Sequence, residues 1–160
     1  MLAPPAVDFA AQAIDEAFQR HYGYEREVEI HHVLTACVWA AALDERMRKI
    51  NHDAYLDDMG LSDLRVLLDG AFIIRNAVMH GMVPLATPGG LQFPIVFPID
   101  WGERRWLPWS DVDAWGVLRR QWEPYVEGYE TRLAGQLIVD VLTPLQTWSK
   151  ACQSFHRLQQ

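Results

Sequence analysis

The chain predicts an all-α fold, an antiparallel bundle of four to five helices carrying one Pro/Trp-rich insertion that forms a loop or a small hairpin. Three observations lead there. Long stretches repeat apolar residues at helical spacing. Helix-ending residues punctuate those stretches, as Gly81 and Pro84 do after Met79. Proline and glycine recur densely only between about residues 84 and 110. Half of the 160 residues are hydrophobic, so one domain spanning 1–160 can bury a sizeable core.

The elements follow in order. After Pro4-Pro5, residues Ala6 to about Arg20 show helical periodicity through Phe9, Ala13 and Ala17, with Phe18 beside them. A break at "HYGYE" leads to a second helix from about Glu25 to Ile50. Its stripe is Ile30, Val33, Leu34, Cys37, Ala41 and Met47. "NHDAYLDDMGLS" reads as a loop with weak helical content, and Ser62 as the N-cap of a third helix from Asp63 to about Met79. In the insertion, "LQFPIVFPI" and "RRWLPW" read as extended segments about a "DWGE" turn. Ser110 is placed to cap a short helix through about Trp122. A long last helix is expected from about Tyr125 to Arg157, with the stripe Tyr129, Leu133, Leu137, Val141, Leu145, Trp148, Cys152 and Phe155. Pro144 should kink or break it.

Composition narrows the function. A net charge of -7 argues against a broad basic surface that grips many phosphates, though not against a local site for one or two. No apolar run approaches the roughly 20 residues of a bilayer span, so no membrane role is expected. The N-terminus lacks a basic leader and turns acidic early, and the two cysteines suit buried thiols rather than a disulfide. A cytoplasmic protein is expected. His31 and His32 near Glu29 could suggest a metal, but adjacent helical side chains diverge by about 100°, so no shared ion is expected.

One stretch stands out, "FIIRNAVMHGMV", Phe72 to Val83. On a helical wheel Leu64, Leu67, Leu68, Ala71, Phe72, Ile74, Val78 and Met79 fill one arc, with Ser62, Arg65, Asp69 and Asn76 opposite. Arg75 falls inside the apolar arc, so it must be paired, lie at an interface or line a cleft. In a continuous helix His80 would point about 140° away from Arg75. Gly81 lets the chain leave the helix, which allows the histidine to swing back beside the arginine. The bare Arg-x4-His spacing is weak, since chance predicts roughly half a match and Arg26–His31 supplies another. Context separates the two. "REVEIHH" opens a helix, whereas "RNAVMHG" has Asn after Arg and glycine straight after His.

That longer string, near the end of the third helix, resembles the signature of the HEPN superfamily. The resemblance covers the motif and the helical layout, and the remaining chain is compatible in architecture only. It implies a small helical bundle that homodimerises and cleaves RNA without a metal or cofactor, often as a toxin or defence-system effector with an antitoxin protein as partner. By the same resemblance Arg75 would bind the phosphate, His80 would be the acid or base, and Asn76 would orient His80 or contact RNA. Some antitoxins of the family modify a tyrosine two residues after the histidine. Met82 stands there, which puts that control in doubt.

Plainer readings stand beside it. Arg75 could pair with a carboxylate of the second helix, Glu29 or Asp44, and His80 could satisfy the last carbonyls of its helix. The motif could belong to an inactive HEPN-like module that binds a partner protein or a nucleotide, or to a structural bundle. Five of the seven tryptophans lie at Trp101, Trp106, Trp109, Trp115 and Trp122, near Arg104-Arg105 and Arg119-Arg120. They could stack on RNA bases, or close a core or a dimer interface.

Overall fold

The computed structural model describes residues 6–23, 29–50, 52–58, 62–79, 85–86, 104–112 and 122–158. Its helices are α1 (Ala6–Gly23), α2 (Glu29–Ile50), α3 (His52–Asp58), α4 (Ser62–Met79), α5 (Trp109–Val112), α6 (Glu123–Arg132) and α7 (Leu142–Leu158). Strands β1 (Leu85–Ala86) and β2 (Arg105–Trp106) form one antiparallel ribbon, and a 3-10 turn, Ile138–Val141, leads into α7. The fold is an all-α bundle. α1 packs on α2 and α7, α2 on α4, and α4 on α6.

The antiparallel sense of α1 and α7 is visible in their polar seam. Gln146 donates to Asp15 at 2.6 Å and Lys150 pairs with it at 3.2 Å. Further along α7, Gln153 donates to Asp8 at 3.4 Å and Arg157 lies 3.8 Å from it. The Gln146 amide holds the Asp15 carboxyl below its ordinary pKa, although burial pushes the other way. One hydrophobic core runs through the bundle, built from residues such as Ile14, Val33, Leu43, Leu68, Ile74, Leu145 and Trp148.

The expected stripes of α2 and of the last segment are buried where they are described, except for the half-buried Leu34, Leu137 and Phe155. Four expectations need correction. α1 buries Val7, Ala10, Ala11, Ile14 and Ala17, and Phe9 is half exposed, edge-on to Trp39 at 5.0 Å. Ala17 and the half-buried Phe18 lie on the expected face, but Ala13 is only half-buried and Phe9 lies at its rim, so small residues and Ile14 form most of the buried face. Residues 52–58 are helical, because Tyr55 anchors them into the core. The last helix is two helices. Its break comes at the turn after Leu133, where Gly135 takes a φ of 75° that other residues adopt only with strain. Pro144 lies in the first turn of α7, where its missing N–H costs no hydrogen bond.

The fourth correction concerns the insertion. β2 falls within "RRWLPW" as expected, but its partner is Leu85–Ala86, and residues 91–100 lie outside the described residues. On its other edge the segment meets the α6–α7 break. The Trp106 N–H donates to the Gln136 carbonyl, the Gly135 N–H to the Trp106 carbonyl and the Ile138 N–H to the Arg104 carbonyl, all near 3.0 Å. Arg105 adds a bond to the Gly135 carbonyl at 2.8 Å. Ser110 is not a cap: its hydroxyl contacts Asp111, and Glu130 of α6 accepts the N–H of Trp109. The continuation of that helix, residues 113–121, lies outside the described residues.

Two glycines bring α4 and α6 close. A Cβ on Gly128 would lie 2.8 Å from the Val66 carbonyl oxygen and 2.8 Å from the Asp69 Cβ. A Cβ on Gly70 would run into the Leu133 side chain. Helix α4 is therefore packed on two sides, against α2 and α6. This explains why the residues assigned to its polar face, Arg65, Asp69 and Asn76, are half-buried rather than solvated.

Candidate functional site

α4 positions two arginine sites, one near each end. The first is built on Asp44, a buried carboxylate of α2. Arg65 reaches across and donates from Nη1 to both its oxygens, at 2.9 and 3.1 Å. Tyr55 of α3 donates its hydroxyl to the same carboxylate at 2.7 Å, and Arg48 lies 3.1 Å from it one turn along α2. Arg65 also holds Asp69 through Nε and Nη2, at 3.0 and 2.7 Å. Two cations and two anions are thus gathered with no net charge, which is the condition for keeping such groups out of water. Burial and the charge of Asp44 push the Tyr55 hydroxyl far above its ordinary pKa, so it stays a donor. Burial works to lower the Arg65 pKa, but the bonds and charges of Asp44 and Asp69 outweigh it and raise it.

The second site is the sequence-predicted one. Arg75 lies in the last turns of α4 with its guanidinium over the Phe72 ring, 4.4 Å from the centroid. Phe72 is backed in turn by Tyr125 of α6, with centroids 4.3 Å apart. Nη1 of Arg75 donates to Oε1 of Glu45 on α2 at 2.8 Å, and Nη2 is 3.5 Å from the Asn76 amide oxygen. The Glu45 side chain is 46% exposed, so this pair borders solvent. Asn76 turns its oxygen toward Arg75, and its Nδ2 is buried with no partner among the described residues.

The structure therefore brings Arg75 and Asn76 together. His80 lies outside the described residues, so its place beside Arg75 rests on sequence alone. Met79, counted in the apolar arc, is 76% exposed. Arg75 does take a carboxylate of α2, as the plainer reading held, but that carboxylate is Glu45. Asp44 is taken by Arg65, and the Glu29 side chain is outside the described residues.

Sequence reasoning missed Glu45, the Phe72–Tyr125 stack and the Asp44 cluster. The signal for the cluster was present in the helical pairs Asp44–Arg48 and Arg65–Asp69, each one turn apart. Among the tryptophans, Trp106 and Trp122 are buried in the core and Trp109 stands edge-on to Tyr129, while Trp101 and Trp115 are outside the described residues. Trp106 and Trp122 thus close a core rather than offer faces to bases. Among the described residues no group of three His, Cys, Asp or Glu is arranged to hold a metal, and no helix is long and apolar enough to cross a membrane. No family model, curated protein or solved structure matches this chain.

Proposed function

We propose that this protein is a metal-independent endoribonuclease of HEPN type, acting as a homodimer in a toxin or defence system, with Arg75, Asn76 and His80 at its site. The observation that supports this reading is the placement of Arg75. Its guanidinium is fixed on the Phe72 ring at the end of α4, yet it reaches the surface, and the RNAVMHG string puts His80 just beyond. An aromatic platform holds an arginine in place without consuming its hydrogen-bond donors.

The chemistry follows from the residue types. The RNA 2′-hydroxyl attacks the adjacent phosphorus while its proton passes to a base. The bond from phosphorus to the 5′-oxygen breaks, and that oxygen receives a proton. A histidine titrates near neutrality and can serve at either proton. The phosphorane-like transition state gains negative charge on its oxygens, where a fixed arginine binds two of them. The products are a 2′,3′-cyclic phosphate and a 5′-hydroxyl. Asn76 turns its oxygen toward Arg75, and its buried Nδ2 is left to orient His80.

A second reading has its own support. The Arg75–Glu45 pair neutralises the cation, as expected of an inactive module that binds a partner protein or a nucleotide. Purified protein incubated with a mixed RNA pool in EDTA, beside Arg75→Ala and His80→Ala, separates the two. Fragments ending in 2′,3′-cyclic phosphate, lost in both variants, are expected for the nuclease. No cleavage of tRNA, mRNA or rRNA by a demonstrated dimer would sink it in favour of the module. An antitoxin is then sought as a protein that copurifies and suppresses the cleavage.

A further inference from the structure

Glu45 is not needed to aim Arg75. The guanidinium already rests on Phe72, Phe72 rests on Tyr125, and the Asn76 oxygen faces Nη2. What Glu45 does is occupy one arm of the fork, Nη1, with a carboxylate oxygen at 2.8 Å. Carboxylates and phosphates address arginine through the same pair of donors. A phosphodiester arriving at Arg75 meets that position already filled, and filled by a negative charge.

We infer that Glu45 is a latch on an anion subsite: it stands where a phosphodiester oxygen of RNA would bind, and Arg75 takes up the phosphate only when Glu45 swings away. The inference rests on the proposed role of Arg75 as a phosphate ligand. Three features make the latch one that opens. The Glu45 side chain is nearly half exposed, so it can leave for water without crossing the core. An ion pair bordering solvent is weakly held. Lys49, exposed and one turn further along α2, offers the departing carboxylate a second cation in the favourable Glu-then-Lys order. The Asp44 carboxylate next to it differs in exposure and in hold, being buried and paired with Arg65, Arg48 and Tyr55 at once.

The test measures binding, so it does not depend on turnover. The probe is a short fluorescent RNA with every 2′-hydroxyl methylated, which cannot be cleaved, titrated with the full chain in low salt. Glu45→Gln keeps the shape and removes the charge, and its fold is checked by thermal melting. Glu45→Gln is expected to tighten binding by about two- to fivefold, the scale of one exposed ion pair. Arg75→Ala is expected to weaken binding, and the gain from Glu45→Gln should vanish in the Arg75→Ala background. Unchanged or weaker binding by Glu45→Gln, with Arg75→Ala still weakening it, overturns the latch and leaves Arg75 as a phosphate ligand. A gain that persists without Arg75 also overturns the latch, since general charge then explains it. If Arg75→Ala leaves binding untouched, the latch and the proposed role of Arg75 fall together.

Discussion

Arg65 and Arg75 stand on the same helix, and each leaves 19% of its side chain exposed, yet they are held in opposite ways. Arg65 is gripped by two carboxylates, and the one it shares with Tyr55 and Arg48 is 9% exposed. Arg75 is gripped by one carboxylate that is 46% exposed, and otherwise lies on an aromatic ring. The burial of an arginine does not say whether it is committed to structure. The exposure of its partner does, because a buried anion has nowhere else to go and a surface anion can exchange with water or a ligand.

The comparison breaks most visibly at Asp44. Asp44→Ala removes the acceptor shared by Arg65 and Tyr55 and the ion-pair partner of Arg48, and strands buried donors and charge. A loss of about 3–5 kcal/mol is expected, read as a fall in the urea midpoint of helical circular dichroism. A loss no larger than that of an exposed ion pair would mean that the Arg65 end is as exchangeable as the Arg75 end.

The next effect in size sharpens the contrast by moving one end alone. Gly128→Ala places a methyl group against the Val66 carbonyl and the Asp69 Cβ, in the turn of α4 that pairs with Arg65. Alanine ordinarily favours a helix interior over glycine, but here backbone must shift, so a net loss of about 1–3 kcal/mol is expected. Gly70→Ala meets the Leu133 side chain rather than backbone, and should cost less because a side chain yields more easily than a carbonyl. Chemical shifts of the Arg75 guanidinium should stay in place in both variants.

Alkali acts on the Asp44 end for a separate reason. Burial pushes the thiols of Cys37 and Cys152 and the hydroxyl of Tyr55 above their ordinary pKa values, Cys37 up to about 12, and the charge of Asp44 adds to the effect on Tyr55 and Cys152. These acids keep their protons in the folded chain after the unfolded chain has lost them. The unfolded state then binds fewer protons, so stability falls as pH rises. The fall should begin near the ordinary thiol value of 9.0 and amount to about 1.4 kcal/mol per pH unit for each group. Urea midpoints that stay level up to about pH 11 would contradict the burial of these groups.

Much of this architecture was legible in the sequence, and the failures have physical causes. The helices of α2 and α4 and the apolar stripe through Tyr129, Leu145 and Trp148 were readable because large apolar side chains mark a buried face. α1 was misread because alanines form its buried face and an aromatic sits at its rim. The α6–α7 break was assigned to Pro144 because proline is the stronger helix breaker, but at a first turn it breaks nothing and Gly135 makes the turn. At the candidate site, the RNAVMHG string singles out Arg75 and Asn76. Glu45 was not, because adjacent carboxylates at the end of α2 look alike in sequence. Only the packing of α2 on α4 sends Asp44 inward to Arg65 and Glu45 outward to Arg75.

The smallest expected effect decides what Arg75 is for. Arg75→Ala frees Glu45, which is already half in water and needs no new partner, so no buried charge is stranded. What is lost is one surface ion pair and one stacking contact on Phe72, together worth about 1 kcal/mol or less. Arg65→Ala, which abandons the buried Asp44, should cost about 2–3 kcal/mol in the same urea titration. Under the proposed function Arg75→Ala also abolishes RNA cleavage, so the arginine that contributes less to stability contributes more to activity. Equal losses of stability from the two variants would show that Arg75 is as structural as Arg65. The exposure of Glu45 would then no longer separate a committed arginine from an available one, and the case for a phosphate site at the end of α4 would go with it.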